Sequence, residues 1–254
     1  MDKLTEDISF ENGKYVITPT KSDKDLVSLF YSPIRNHLTI DNIPVFYGFK
    51  IEAVEPEYEK LKRVFIKDFK NLSPTIPRDS FVSILKKSIV ALNYNFSLSN
   101  VSVIVYPASS SIINKKLAEF IKEKTGTSIV IPDTFLKQSL NDVEIDTAKL
   151  NSMAKNDEHK NELLKNLHDV FDRNKKSYGN ELKMKILYPY QRQLIKNFLR
   201  FKNNVSNRTL EKMRTGSVLV LDDVYTTGRT FEEMTTILRN LGVGKIICFA
   251  LLKN

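Results

Sequence analysis

The segment over residues 218–241 constrains the fold of this chain more than any other part of its sequence. Residues 218–221 are apolar with no polar face, which is typical of a central parallel strand covered on both sides. Two adjacent carboxylates, Asp222 and Asp223, follow this strand, and a short Thr/Gly loop leads from them into a helical pattern over residues 231–241. A buried strand that passes through a short loop into a helix predicts an α/β fold.

The same order of elements recurs upstream. We predict a strand, a loop, a helix closed by Gly126 and a second strand over residues 101–106, 107–111, 112–124 and 128–131. A βαβ unit of this kind forms the right-handed crossover of a parallel sheet. Ligands of such sheets bind beyond the carboxyl ends of the strands, so we expect residues 109–111 and 222–230 to lie at the same edge.

The loop over residues 225–230 has the residue types of a phosphate-binding loop. It offers backbone N–H groups, a tight turn at Gly228 and the hydroxyls of Thr226, Thr227 and Thr230. The positive end of the following helix adds to this, so the loop is a predicted site for a phosphate monoester. Beside it, the two carboxylates can accept hydrogen bonds from a vicinal diol and hold Mg²⁺ through water. Phosphate, diol and divalent metal together indicate a ribose 5-phosphate that carries a pyrophosphate.

Residues 218–230 resemble the phosphoribosyl-pyrophosphate (PRPP) motif of the type I phosphoribosyltransferases. That motif is an apolar strand, two acids, an apolar residue, any residue, Thr-Thr-Gly, any residue and Thr, and every position is filled here. The departure is Arg229, where a small residue is common; we expect its side chain to point outward and to add charge near the phosphate. Residues 107–111 are similar in place and character to the loop that grips the pyrophosphate in this family.

The resemblance implies a Mg²⁺-dependent phosphoribosyltransferase, an enzyme of nucleotide metabolism. Such an enzyme transfers the ribosyl group of PRPP to a nitrogen nucleophile, a nucleobase or a related acceptor, and releases pyrophosphate. Asp222 and Asp223 are the implied catalytic residues, which fix the ribose hydroxyls and hold Mg²⁺ through water. The 5-phosphate is assigned to Tyr225, Thr226, Thr227, Gly228, Arg229 and Thr230. The leaving pyrophosphate is assigned to Ala108, Ser109, Ser110 and Ser111. The acceptor itself stays open.

The resemblance also implies an architecture. Residues 100–254 would form a type I phosphoribosyltransferase-like core, with a central, mostly parallel sheet flanked by helices and a helical insertion at about residues 135–205. Residues 1–99 would form a β-rich hood and a helix pair, loosely similar to the ComF-type branch of the family. Asn-Gly at residues 12–13 and Asp-Asn at residues 41–42 predict hairpins there. Helices are predicted over residues 58–71 and 78–93.

The insertion is predicted to be charged and mostly helical over residues 142–176. Its apolar stripe is expected to pack on the core or on a second subunit, so that a homodimer is one interpretation. The stripe consists of Leu163, Leu164, Leu167, Val170 and Phe171. A strand over residues 184–188 and a basic helix over residues 190–202 are predicted to follow. In the family a mobile basic loop closes over PRPP, and its candidate cations here are Arg192, Lys196, Arg200 and Arg208.

The net charge of +9 is unevenly placed. Residues 173–214 hold twelve Lys and Arg against two acids, which indicates a polyanionic partner. Nucleic acid and the substrate pyrophosphate are both candidates. The alternative function is therefore a regulator of the same fold that binds PRPP or a nucleotide, together with nucleic acid, without turnover.

Composition excludes several other classes of protein. There is no apolar run long enough for a membrane helix, and residues 1–7 are polar rather than a secretory signal, so we expect a cytoplasmic protein with no membrane partner. The one cysteine, Cys248, lies in an apolar run and is expected to be a buried thiol. A single cysteine excludes an internal disulfide and a cysteine zinc site, including the one usual in the ComF-type branch.

Overall fold

A ten-stranded sheet lies at the centre of the computed structural model, which describes residues 8–11, 14–17, 27–30, 37–53, 56, 59–73, 78–108, 112–126 and 129–254. The strands are β1 (Ile8–Glu11), β2 (Lys14–Ile17), β3 (Val27–Phe30), β4 (His37–Ile40), β5 (Ile43–Ala53), β6 (Val101–Pro107), β7 (Ile129–Lys137), β8 (Glu144–Ile145), β9 (Ile195–Lys196), β10 (Leu199–Phe201), β11 (Ser217–Tyr225) and β12 (Lys245–Lys253). The helices are α1 (Glu59–Lys70), α2 (Arg78–Asn95), α3 (Ile112–Thr125), α4 (Thr147–Met153), α5 (Asp157–Tyr178), α6 (Pro189–Gln193), α7 (Asn207–Thr215) and α8 (Arg229–Asn240). The α/β class predicted from the sequence is confirmed.

The sheet is mixed, so the prediction of a mostly parallel sheet was wrong. Strands β5, β12, β11, β6 and β7 are neighbours in that order and all pair in parallel. Antiparallel strands flank them: β10 on β7, and both β3 and β4 on β5, with β2 and β1 beyond β3. The described sheet thus has four parallel and five antiparallel pairs. The hairpins of the N-terminal segment account for the difference, because consecutive strands with short connections pair antiparallel.

The hairpin and helix predictions for the N-terminal segment are confirmed. Strands β4 and β5 pair with Ile40 opposite Ile43, and Asp41 and Asn42 between them have φ angles of 48° and 64°, the left-handed values of a two-residue hairpin turn. Strands β1 and β2 pair antiparallel as predicted, although the turn at residues 12–13 lies outside the described residues. Strand β5 runs parallel to β12, so this segment contributes a strand to the same sheet as the predicted core. The domain boundary at residues 99–100 stays a prediction.

Each face of the sheet is covered by its own apolar cluster. On β11, Leu219 and Leu221 pack in the cluster beneath α1, α2 and α3, whereas Val218 and Val220 pack in the cluster that includes α5, α7 and α8. All four side chains have no exposed area. This two-sided burial is the physical reason for the unbroken apolar run in the sequence. Among the described residues no helix has the length and apolar character needed to cross a bilayer.

The apolar stripe of the insertion packs on this chain's own core. Leu163, Leu167 and Val170 on α5 are buried in the same cluster as Val218 and Val220. The stripe is therefore already covered within one chain, and of the two interpretations given above, packing on the core is the one observed.

Two secondary-structure predictions in the insertion were wrong. Residues Met184–Ile186 form a 3₁₀ turn rather than a strand, and the predicted basic helix over residues 190–202 ends at Gln193. A turn at Asn197, whose φ is 56°, then separates the short strands β9 and β10. The buried apolar residues Leu194, Ile195, Phe198 and Leu199 are spaced as on a helix face, which explains the prediction. Pairing of β10 with the open edge of β7 is the tertiary contact that overrode this pattern.

A close backbone approach at Gly48 on β5 gives a test of this packing. A Cβ atom at Gly48 would lie 2.2 Å from Ser88 Oγ on α2 and 2.8 Å from the carbonyl oxygen of Leu251 on β12. We expect Gly48→Ala to lower the free energy of unfolding by about 1 to 3 kcal/mol, because the new methyl group overpacks the core. Gly244→Ala is the matched control, since a Cβ there meets nothing within 4 Å. Urea unfolding of both variants measures the difference, and equal stability of the two would contradict the packing.

Candidate functional site

The acid pair lies at the carboxyl end of β11. Strand β11 pairs with β6 up to Val220 opposite Val105, so that Asp222 and Pro107 each stand two residues beyond the last pair. Ala108 follows directly, and its N–H donates to the carbonyl of Phe135 on β7. The start of the predicted pyrophosphate loop therefore shares a sheet edge with the acid pair, as the sequence predicted. Ser109, Ser110 and Ser111 lie outside the described residues.

Three groups contact the two carboxylates, which are only 8 % and 4 % exposed at Asp222 and Asp223. Lys70, the last residue of α1, places its Nζ 2.8 Å from Asp223 Oδ1. The backbone N–H of Asp223 donates to Asp222 Oδ1 at 2.9 Å. The side chain of Asn114, in the first turn of α3, also hydrogen-bonds Asp222. Two helices that are remote in sequence thus hold the acid pair.

Sequence reasoning missed Lys70 and Asn114. Lys70 is one of 39 basic residues and Asn114 is a polar residue in a helical pattern, and neither belongs to a recognisable motif. The only sequence signal is positional, since both stand at helix ends next to segments that were singled out. Lys70 and Asn114 reach the acid pair because α1 and α3 pack on one face of the sheet, the face on which the side chain of Leu221 is buried.

Asp222 titrates near neutral pH. Burial, together with the neighbouring charge of Asp223, raises the pKa of Asp222 from 3.8 to about 7, although Lys70, the Asp223 N–H and Asn114 act in the opposite direction. The pair can therefore change by one charge across physiological pH. A carboxylate of this kind accepts hydrogen bonds from hydroxyl groups when ionised and donates one when protonated.

The loop after the acid pair ends in an uncapped helix. Helix α8 begins directly after Gly228, whose φ of 82° is left-handed and which offers no side-chain cap. A Cβ at this position would lie 2.7 Å from the Tyr225 hydroxyl, so the loop requires glycine there. In the described part of the chain, no protein group hydrogen-bonds the hydroxyls of Thr226, Thr227 and Thr230. The N–H groups at this helix start and the three hydroxyls are therefore hydrogen-bond donors available within one short segment.

Arg229 does not point outward, contrary to the prediction. Its guanidinium is 10 % exposed and donates to the carbonyl of Ile195 at 2.8 Å, to Glu232 Oε2 at 2.6 Å and to Asp146 Oδ2 at 2.7 Å. Burial raises the pKa of Asp146, but the Lys149 N–H and the Arg229 guanidinium hold this pKa below its usual range. The Arg229 side chain thus fastens the start of α8 to the insertion, and only its backbone N–H can face a phosphate.

Glu233, the neighbour of this arginine cluster on α8, makes a second attachment to the insertion. Its carboxylate accepts the backbone N–H groups of the turn formed by Asn197, Phe198 and Leu199. Burial raises the pKa of Glu233, and these hydrogen bonds lower it. The turn that breaks the predicted basic helix is therefore tied to α8.

The four candidate cations of the predicted basic loop are not gathered together. Arg192 on α6 donates to the carbonyl of Leu187 at 3.1 Å, and burial lowers the pKa of its guanidinium. Lys196 pairs with Glu144 at 3.3 Å. Arg200 on β10 and Arg208 on α7 are exposed and have no ion pair within the described ranges. The closing role of any of the four stays a prediction.

Other cations approach the site from the neighbouring strands, and no sequence pattern had selected them. Lys253 on β12 stands opposite Tyr225 on one side and Lys50 of β5 on the other. Its Nζ lies 5.1 Å from the centre of the Tyr47 ring, which is within cation–π distance. Strand β5 thus brings an aromatic ring and a lysine from the N-terminal segment to the edge that holds the acid pair.

The donor set fits a metal held mainly by other ligands. No cluster of three or more His, Cys, Asp or Glu side chains occurs in the part of the chain that the structure describes. Two adjacent carboxylates suit Mg²⁺, which keeps several waters and takes further oxygen ligands from substrate phosphates. The arrangement is compatible with the predicted contact through water.

Two comparisons with known proteins, one with family descriptions and one with curated proteins, found no match.

The raised pKa of Asp222 predicts a pH-dependent stability. Because the folded state binds this proton more tightly than the unfolded state, the contribution of Asp222 is complete below about pH 4 and is lost as pH rises through about 7. We expect Asp222→Asn, which stays neutral, to be more stable than the unaltered protein at about pH 8, by up to about 4 kcal/mol at 1.4 kcal/mol per pKa unit. Urea unfolding at about pH 5 and about pH 8 measures this.

The control for this experiment is Asp172→Asn, which removes an exposed carboxylate on α5. Its effect on the unfolding free energy should be small at both pH values. An unfolding free energy that depends on pH in the same way for all three proteins would contradict the assignment to Asp222.

Proposed function

We propose that this protein is a Mg²⁺-dependent phosphoribosyltransferase that uses PRPP to ribosylate a nitrogen nucleophile and releases pyrophosphate. One observation carries the proposal: two buried carboxylates, Asp222 and Asp223, lead within a few residues into an uncapped helix start rich in unpartnered hydroxyls. In this proposal the acid pair accepts hydrogen bonds from the ribose diol, and the loop that follows it within a few residues binds the 5-phosphate. The proposal includes a type I phosphoribosyltransferase-like core with a helical insertion.

Each part of the site has a separate task in this reaction. Asp222 and Asp223 accept hydrogen bonds from the ribose hydroxyls and place negative charge near the oxocarbenium-like ring of the transition state. The N–H groups of the loop and of the first turn of α8, with the hydroxyls of Thr226, Thr227 and Thr230, hold the 5-phosphate. Ala108, whose N–H donates to the carbonyl of Phe135, leads into the segment proposed to hold the leaving pyrophosphate. Mg²⁺, when bound, neutralises phosphate charge, and the acid pair would hold it through water.

Lys70 acts as a positioning residue for this site. Its ammonium group already compensates Asp223, so a bound diol has to share or displace that contact. An uncompensated pair of buried carboxylates would be costly, which is the reason for a cation here before substrate arrives. The same ion pair reduces the negative charge available to an oxocarbenium ion. Binding of PRPP without turnover, as in a regulator, is therefore the second candidate function.

Binding of PRPP tests the site directly. We expect isothermal calorimetry with PRPP and Mg²⁺ to show saturable heat. The double variant Thr226→Val/Thr227→Val should weaken the affinity about tenfold or more, because charge-assisted hydrogen bonds are each worth about 1.5 to 3 kcal/mol. Thr236→Val, an exposed threonine further along α8, is the control and should bind normally. Absence of heat from the folded, unaltered protein would overturn the proposal.

Turnover distinguishes the two candidate functions. We expect pyrophosphate release when PRPP, Mg²⁺ and the correct base are supplied, and a loss on the order of 10²-fold in rate for Asp223→Asn, since a charge aimed at the transition state is removed. Asp172→Asn, far from the site on α5, should react at the normal rate. If PRPP binds but no pyrophosphate is released in the presence of purines, pyrimidines or ammonia, the regulator is favoured.

A further inference from the structure

Three surface cavities follow one another along the sheet edge opposite the acid pair, where the parallel strands begin. The first, about 300 Å³, includes Phe96 and Ser217 in its lining. The second, about 810 Å³, includes Ser97 and Ser99, and the third, about 330 Å³, includes Ser99 and Gly216. Neighbouring cavities share a lining residue or have lining residues adjacent in sequence, and the three are together called here the amino-edge groove.

Among the described residues that line the amino-edge groove there are cations and no acid. Each cavity contributes at least one basic side chain, all of them exposed: Lys86 and Lys124 in the second cavity, Lys212 in the third, and Arg239 and Lys245 in the first. Within the described ranges none of the five forms an ion pair; Arg239 instead donates to the backbone carbonyl of Asp41 at 2.6 Å. The basic groups come from four helices and one strand, so positive charge runs along the whole edge.

The acidic residues that are sequence neighbours of the lining residues do not themselves line the three cavities. Glu211 precedes Lys212 in sequence, and its Oε2 atom lies 4.0 Å from Nη1 of Arg214. Asp41 and Glu123 are sequence neighbours of lining residues but line none of the three cavities. The positive charge of the groove is therefore not compensated from within.

Apolar and hydroxyl groups lie between these cations. Phe96 and Phe120 are half-buried, and Val90 is 62 % exposed beside Phe120 in the second cavity. Lys124 stands 5.7 Å above the ring of Phe120. The hydroxyl groups belong to Ser97, Ser99, Ser102, Thr125, Thr215 and Ser217. Cations for phosphates, hydroxyls for polar edges and aromatic faces for bases are what single-stranded nucleic acids require.

We propose that the amino-edge groove binds single-stranded nucleic acid. An acidic peptide would also be attracted, but its charges cluster irregularly, whereas a nucleic-acid backbone repeats its charge at every nucleotide. A cation in each of the three cavities offers separate contacts to a charge that is repeated along a chain. The proposal does not rest on the proposed enzymatic function, because the groove and the acid pair lie at opposite ends of the parallel strands.

This surface differs from the one that the sequence suggested. Of the five cations, only Lys212 belongs to the basic segment of residues 173–214. Other members of that segment are used internally, such as Lys183 in its ion pair with Glu181 and Lys196 in its ion pair with Glu144. The nucleic-acid surface proposed here thus draws on five separate parts of the chain, and binding through the basic segment stays a separate prediction.

Fluorescence anisotropy tests the proposal with the full chain and a labelled oligouridine of about 20 nucleotides. We expect binding that weakens steeply between about 50 and 200 mM salt. The variant Lys124→Glu/Lys212→Glu should lose about tenfold or more in affinity and show a shallower salt dependence, by about one to two units of slope. The affinity of this variant for PRPP, measured by calorimetry, should be unchanged. This result separates the test from that of the enzymatic function.

The matched control is Lys175→Glu/Lys176→Glu, two exposed lysines on α5 that lie in the basic segment and give the same change in net charge. It should bind within about twofold of the unaltered protein. Equal losses in both variants would overturn the proposal, because binding would then follow net charge alone. So would stronger competition by polyglutamate than by unlabelled oligouridine, which would indicate an acidic protein. Should the glutamate variant not fold, Lys124→Gln/Lys212→Gln is expected to weaken binding in the same direction.

Discussion

Two adjacent carboxylates are buried at the end of β11, and the packing of the helices around them has to compensate for that burial. Asp222 and Asp223 lose almost all contact with water, and such a loss is tolerated only where charge and hydrogen bonds replace it. Lys70 and Asn114 provide these, so α1 and α3 must both pack over one face of the sheet. Helix α1 of the N-terminal segment is in this way tied to the strand that holds the acid pair. The same burial raises the pKa of Asp222.

A second set of buried polar contacts fixes the insertion. Arg229 on α8 donates hydrogen bonds to the N-cap residue of α4 and to a carbonyl of β9. Glu233 accepts hydrogen bonds from the N–H groups of the turn before β10. Both side chains lie near the start of α8, whose N-cap residue Gly228 makes no side-chain cap hydrogen bond. Buried polar side chains thus hold the start of α8 in place, and its first N–H groups have no side-chain cap. An anion site needs fixed support of this kind.

The two ends of the parallel strands have different chemistry. The carboxyl end combines buried acids with nearby cations on β5, β12 and α1, which suits a ligand with both hydroxyl and phosphate groups. The amino end has exposed cations without acids in the lining of its cavities, which suits a uniformly charged polymer. The two sites can therefore be tested separately, and occupation of one does not require a residue of the other.

The α/β class, the β11–loop–α8 unit and the hairpin at Asp41 and Asn42 could be predicted from the sequence alone, because each follows from short-range patterning of apolar, glycine and turn residues. The sequence did not determine the mixed sheet, the turn at Asn197 or the inward course of Arg229. Those depend on which strand edge, carboxylate or carbonyl lies nearby in the folded chain. Lys70 reaching Asp223 and five scattered cations lining one groove were likewise decided only by tertiary packing, since residues far apart in sequence carry no local signal of their meeting.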